Sequence, residues 1–425
     1  LERNVLVISA TGLLTNLGAQ AFQPFIPLYL QTLNVTIPQI GILYVGIAIA
    51  ANLSIFGGIL ADKIGRKTTI VLGGSVGFGL FLGLLGVNNW IMASVFLFSG
   101  YFFATMVQPA VTSTIAESVD SKDRSSAFSS YWVLAYLGLT AGSLIGGYLP
   151  NPGKFELNIA IIGVAGIGAA VARLLFLKET LPSKSRTNRR SARSLFSAAR
   201  LSQSAWLVMI ALLLFDFSLG LGQAIYPLFS IEQLQLSQGE FAIMIGAASV
   251  TSMVGAFGAG RVSRRLGVKR MMIFAVVLSG AILIPWIYAP NAYVAVIFYA
   301  VSSFFGQFFL VGNQALMADI TSIEERSSVI GFITTIGGLG AIAAPYIGSE
   351  LWVIINPQAP FLISILLSAL VAIPLAIIRG TPAEPTPTLQ PAQGEVTFQR
   401  RFCRYCGQEI DLDERYCRHC GRNLE

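Results

Sequence analysis

About a dozen long apolar runs, each close to the ~20 residues an α-helix needs to cross a hydrocarbon core, constrain this chain more than any other feature. They lie at 4–31, 37–61, 68–87, 91–115, 125–149, 157–178, 204–231, 239–262, 270–289, 293–319, 327–353 and 359–379 of the 425 residues. In lipid every backbone N–H and C=O must be paired within the chain, which leaves helices or a closed barrel. A barrel strand would alternate apolar and polar residues over about ten positions, whereas these runs are apolar on all sides. Charged residues make up 12% of the chain. A soluble domain carries about 25%, so soluble and disordered classes are excluded. The first run has no small-residue cleavage site and is too long for a signal peptide, so it is expected to stay in the mature protein. The expected class is an all-α polytopic membrane protein with twelve transmembrane helices.

Lysine and arginine set the orientation. With both termini cytoplasmic, the inner side holds Arg3, Lys63, Arg66, Lys67, Lys122, Arg124, the 173–200 stretch, Arg261, Arg264, Arg265, Lys269, Arg270, Arg326 and the tail. Of the 28 basic residues only Lys154 then lies outside. The formal net charge of +7 thus reflects topology. Nucleic acid is not expected as a partner, while the basic inner loops favour a bilayer with anionic lipid. The expected location is the plasma (inner) membrane of a bacterium or archaeon.

The chain also repeats itself. Residues 116–128 (AESVDSKDRSSAF) precede residues 318–330 (ADITSIEERSSVI) by 202 positions, and the same offset pairs Gly58 with Gly260, Gly65 with Gly267, Lys67 with Lys269, Gly138 with Gly340 and Gly146 with Gly348. Two six-helix pseudo-repeats are expected, 1–178 and 204–379, joined by a basic cytoplasmic linker at 179–203. An even number of helices gives both units one orientation, related by an axis along the membrane normal.

The loop after the second run reads GGILADKIGRKTTI. Its Gly58, Asp62, Gly65, Arg66 and Lys67 are similar, residue by residue, to the inter-helix signature of the major facilitator superfamily, and the resemblance covers about residues 4–379. It implies two halves that rock about a midplane cavity open alternately to each side, lined by the first, fourth, seventh and tenth helices. It also implies that this cluster, with Asp123 and Arg124 of the next inner loop, is a cytoplasmic clasp that stabilises one access state. The residue chemistry agrees. The glycines permit a tight turn, and Asp62 and Arg66 can make charge-assisted bonds to a helix end and to acids such as Asp123. In the second half Arg264 stands in place of the aspartate, so the clasp is expected to be asymmetric.

The polar residues in mid-run fit that lining. Of Asn16, Gln20, Gln23, Asn52, Gln108, Asp216, Gln223, Gln307, Asn313 and Gln314, nine fall on runs 1, 4, 7 and 10. Positions 16, 20, 23, then 105, 108, 112, then 216, 220, 223 each trace one helical stripe, costly against lipid but not against a wet hollow. These residues, with Thr105, are the expected substrate cavity. Asp216 is the only acid near the middle of a run. Placing a carboxylate there costs about 2.5–3.5 kcal/mol, which points to a proton or cation site. The plainer alternative is a hydrated residue bonded to Gln223 or another amide. No buried Lys, Arg or His is expected as its partner, and a hollow without a cation suits sugars or amphiphiles better than strong anions.

Run 5 carries Gly138, Gly142, Gly146 and Gly147 and resembles the superfamily's antiporter-type motif, with Ser143 where that motif has proline. Run 11 has Pro345, but Ala344 in place of the second glycine. Small residues four apart are equally a mark of close helix packing. Drug–proton antiporters of the family often carry an arginine in the fourth helix, and the stretch FLFSGYFFAT has none.

From residue 380 to 398 the chain is a Pro-rich linker, extended and semi-rigid. Residues 399–425 then hold all four cysteines, Cys403, Cys406, Cys417 and Cys420, as two Cys-x-x-Cys-Gly knuckles. In a reducing cytoplasm such a set favours tetrahedral Zn²⁺ over disulfides. The segment resembles a short zinc ribbon, too small to bury a core, with metal supplying folding free energy on the order of 10 kcal/mol. Four thiolates leave no open position for catalysis, so the ribbon is expected to be structural or to bear a cytoplasmic protein partner. His419, the sole histidine, lies here. That excludes His-based triads inside the bundle, and the chain is not expected to be an enzyme. The expected function is secondary active transport of a small molecule, with the proton as coupling ion and efflux of a drug-like or amphiphilic compound as the direction. A nutrient importer and a non-transporting receptor or scaffold signalling through the ribbon are the alternatives.

Overall fold

The computed structural model describes residues 2–120, 123–149, 154–181, 202–319 and 326–378, with 401–402, 406, 409–410 and 420 of the tail. Among these residues twelve helices are long and apolar enough to cross a membrane. Spans 1 to 6 are Arg3–Thr32, Ile37–Ile64, Arg66–Gly86, Trp90–Glu117, Ser126–Tyr148 and Glu156–Phe176. Spans 7 to 12 are Gln203–Gln223, Gln238–Leu266, Val268–Ile287, Ala292–Met317, Phe332–Ile354 and Ala359–Ile377. The expected runs match these within a few residues except at span 7. There the straight helix stops at Gln223, because Pro227 lacks the N–H that would continue the ladder, and the chain passes into a π-helical turn at Phe229–Gln233. Span 1 breaks at the corresponding place, with a 3₁₀ turn at Gln23–Phe25 around Pro24.

Asn158 of span 6 bridges carbonyls just before the break in span 1 and near the end of span 5. Its Nδ2 donates to Ala21 O at 2.6 Å and to Gly146 O at 2.8 Å, tying spans 1, 5 and 6 where the first begins to bend. The glycines of span 5 press on the backbone of span 1. A methyl group at Gly138, Gly142 or Gly146 would strike the carbonyls of Leu13, Leu17 or Ala21. Span 11 meets span 7 in the same way, Gly340 on Leu213 O and Gly348 on Leu221 O, while the Ala344 methyl is accommodated by Gly220. Close packing is therefore what the small residues of both spans accomplish.

The bundle has a basic end, which carries residues 62–67, and a far end, which carries Tyr148 and Gly239. At the far end one apolar core joins residues from both sides of the 182–201 segment, including Phe22, Phe25, Ile26 and Tyr29 with Ile225, Phe229, Phe241 and Trp286. Gln31 Nε2 donates to Glu232 there at 2.5 Å, and Phe25 meets Phe241 edge-on at 5.6 Å. Toward the basic end, the described buried clusters no longer mix. One is drawn from residues 5–177 and the other from 205–378. A cavity of about 480 Å³ opens between them, lined by Ala51, Asn52, Ser54, Gly58, Pro109, Thr334 and Thr335.

Residues 380–425 form a separate compact unit. In it Arg401–Phe402 pair antiparallel with Glu409–Ile410, in register Arg401 to Ile410. Cys406 and Cys420 are exposed turn residues, whereas Cys403 and Cys417 lie outside the described residues.

Candidate functional site

Span 7 shows how the chain aims its carboxylate. One side of this helix is covered by span 11 through Leu213, Gly220 and Leu221. The opposite side is covered by span 12, where Ser218 Oγ lies 2.6 Å from Ser368 Oγ and donates to Ser364 O at 2.8 Å. Phe215 stacks on Phe309 of span 10 at 4.0 Å between ring centroids. Asp216, Leu219 and Gln223 share the stripe that none of these contacts reaches. Leu219 is 54% exposed, Gln223 is exposed, and Asp216 is half-buried. Among the described residues the carboxylate has no ion-pair partner, since both salt bridges belong to Arg66. The alternative reading's bond to Gln223 is not made.

Asn16, Gln20 and Gln23 are all half-buried on span 1. Asn16 folds back, its Nδ2 donating to Gly12 O at 2.8 Å. Not every expected cavity residue faces open space. Thr105 Oγ1 is bound to Ala50 O of span 2 at 3.2 Å. Gln307 sets its Cβ against Gly255 of span 8, and Asn313 is buried at 6% exposure. Gln314 and Gln108 are exposed. Asn52, on span 2, lines the cavity and donates to Gly338 O of span 11 at 3.4 Å.

The 62–67 loop is bound differently from the expectation. Arg66 pairs with Asp62 at 2.6 Å and with Glu117 of span 4 at 3.3 Å. Asp123 is exposed and is not its partner, because it sits past the end of span 4 while Glu117 is still on the helix beside the loop. The Glu179 carboxylate accepts the N–H groups of Arg66 at 2.9 Å and Lys67 at 3.2 Å, capping span 3 where Gly65 turns with φ +110°. Thr180 Oγ1 closes the cluster on Glu117 at 2.6 Å. Arg124 Nε donates to Ala116 O at 3.1 Å. In the second half Lys269 Nζ instead donates to Ala376 O and Ile378 O at the end of span 12.

Arg173, expected on the inner side within run 157–178, lies in the last turn of span 6 and is 3% exposed. Its Nε donates to Thr11 Oγ1 of span 1 at 2.9 Å. The signal was present, since Gly166, Ala169, Ala170 and Arg173 fall on one buried stripe. Span 6 thus holds a buried cation near its basic end, and among the described residues it forms no ion pair with Asp216.

The sequence model of the Major Facilitator Superfamily matches residues 8–258 and again 208–405. The chain belongs to the Major Facilitator Superfamily. It is similar to the quinolone resistance protein NorA of Staphylococcus aureus (strain MSSA476), 26% identical over 263 residues, 59% of this chain. The match spans 64% of NorA's length. It is also similar to the multi-drug resistance efflux pump PmrA of Streptococcus pneumoniae serotype 4 (strain ATCC BAA-334 / TIGR4), 24% identical over 352 residues, covering 79% of this chain and 86% of PmrA. Two solved structures share the fold at low identity. The nucleoside transporter NupG aligns at TM-score 0.70 and 16% identity over 88% of this chain and 98% of its own. A bacterial homologue of the lysosomal transporter Spinster, in an inward-facing and occupied conformation, aligns at 0.69 and 14%, over 88% and 95%.

Proposed function

We propose that this superfamily member is a secondary active transporter that exports a small drug-like or amphiphilic molecule by alternating access, exchanging it for protons at Asp216. The observation that carries this reading is the Asp216 stripe: a mid-span carboxylate without a salt bridge among the described residues, beside exposed Leu219 and Gln223. On a lipid-facing surface that carboxylate would cost about 2.5–3.5 kcal/mol with no return, whereas in a hydrated hollow it can bind and release a proton. Export is supported by the relatives, whose names record quinolone resistance and multidrug efflux.

The two-repeat layout belongs to this proposal and is supported by register. Gly138 on Leu13 and Gly340 on Leu213 are matched contacts, as are Gly146 on Ala21 and Gly348 on Leu221. They align the first span of each repeat at an offset of 200 residues, which makes Asp216 the counterpart of Asn16 and Gln223 that of Gln23. The capping boxes Thr36/Gln39 and Ser237/Glu240 follow at 201. The loops Gly65 and Gly267, both with positive φ, follow at 202. The repeats are then 1–178 and 204–379 around the linker 179–203. The basic end and both termini face the cytoplasm of a plasma (inner) membrane, so the cavity described above opens inward.

The tail, linker 380–398 and module 399–425, is proposed to fold on one Zn²⁺. The donor set fits, with four thiols at Cys403, Cys406, Cys417 and Cys420 and a short antiparallel pairing that flanks the first knuckle. Its partner is proposed to be a cytoplasmic protein. Proteoliposomes holding the full chain test the transport reading. Flux of an amphiphilic dye driven by a pH gradient should vanish in Asp216→Asn and persist after deletion of 381–425. No gradient-driven flux in the wild type, or flux undiminished in Asp216→Asn, would overturn it.

A further inference from the structure

Arg173 is 97% removed from solvent and sits within a membrane span, with no carboxylate within ion-pair distance among the described residues. A guanidinium cannot escape by losing its proton, so it needs acceptors for five N–H donors. Only Nε has one among the described residues, Thr11 Oγ1 at 2.9 Å. Thr11 gives its own proton to Val7 O at 2.7 Å, which leaves its lone pair for the arginine and fixes the guanidinium plane. Among the described residues the two terminal amino groups have no acceptor.

The placement of that fork is informative. Side chains on a helix tilt toward its N-terminus, so Arg173, in the last turn of span 6, reaches back from the basic end into the bundle, to the level of Thr11. There it faces Tyr131 of span 5, which also interacts with Gln108 of span 4. The ring of Tyr131 lies over Gly12, where any side chain would displace it. Gln108 is exposed, next to Pro109 on the wall of the cavity between the two clusters. Polar side chains thus run from Gln108, the neighbour of the cavity-lining Pro109, through Tyr131 to an arginine whose terminal donors are unfilled among the described residues.

We propose that Arg173, with Tyr131 and Gln108, is an anion subsite that binds the carboxylate of an amphiphilic organic acid. The inference rests on the transporter reading above and narrows its substrate class. One planar fork matches one carboxylate with two parallel hydrogen bonds, and the single positive charge suits a monoanion better than a phosphate dianion.

The test is equilibrium binding to the full chain in nanodiscs, read by energy transfer from tryptophan to pyrene, with 1-pyrenebutyrate and its methyl ester as matched probes. The wild type should bind the acid about tenfold more tightly than the ester, the scale of one charge-assisted pair. In Arg173→Gln the acid should fall to the level of the ester while the ester is unchanged. Arg173→Lys keeps the charge but not the fork, and should retain part of the preference. If Arg173→Gln fails to fold, the lysine variant alone decides. Equal binding of acid and ester by the wild type, or a preference that survives either substitution undiminished, overturns the proposal. Binding needs no gradient, so a lack of flux would sink the transporter reading and leave this preference to be judged separately.

Discussion

Glu179 and Asn158 each hold together pieces of chain that lie far apart in sequence. Glu179 follows the end of span 6 by three residues and caps span 3 through two N–H groups. Removing it in Glu179→Ala should cost about 1 kcal/mol, the usual loss of a helix cap, and Glu179→Gln less, since an acceptor remains. Thermal unfolding of the purified protein checks the order of the three. Asn158 is fully buried and donates to two carbonyls of other spans. Asn158→Leu should destabilise by about 2 kcal/mol or more, because each orphaned buried acceptor carries its own desolvation cost. An unchanged melting temperature would contradict the assignment. At this scale the sequence was legible where chemistry is unusual, as at Asp216, and misleading where distance along the chain hides contact. Asp123 looked like the natural acid for Arg66, but Glu117, still on the helix of span 4, is the one that pairs with it. Arg173 looked like one more inner-side charge because it stands five residues from the end of run 157–178, and only its place on the small-residue stripe shows that it points inward.

The seam between spans 5 and 1 depends on glycine at positions 138, 142 and 146, where backbone meets backbone. Gly142→Val should push the helices apart and cost several kcal/mol, in the upper range of overpacking. Gly168→Ala on span 6, where an added methyl meets nothing within 4 Å, should instead be neutral or stabilising by up to about 1 kcal/mol. Paired melting curves test the contrast, and equal losses would mean that the seam is not the constraint. The number and type of elements could be read directly from the apolar runs, since a bilayer admits little else. The end of span 7 could not, because the proline that breaks it sits inside a run that stays apolar to residue 231. The register of the first spans was also hidden. A single offset of 202 fitted the loops, whereas the glycine contacts fix spans 1 and 7 at 200 and the capping boxes stand 201 apart, so one residue enters before the second span begins and one more before it ends.

For the whole molecule, one core is shared at the far end while the described clusters separate toward the basic end, as one access state of the proposed cycle requires. The tail is a unit of its own, and deleting 381–425 should leave the melting temperature of the bundle unchanged while abolishing bound zinc. In the full chain zinc should dissociate as the pH falls, because protonation of the thiolates competes with the metal. Zinc retained after the deletion would place the site elsewhere. The deletion also removes every cysteine, so a single new thiol can be read without background. Leu219→Cys in that background sits one turn from Asp216 on the open stripe. Oriented vesicles exposed to a membrane-impermeant maleimide should label it rapidly from the basic side and slowly from the far side. A lipid-facing control such as Leu366→Cys should stay unlabelled. Protection of residue 219 equal to that of the control would contradict a hydrated hollow, and with it the transporter account.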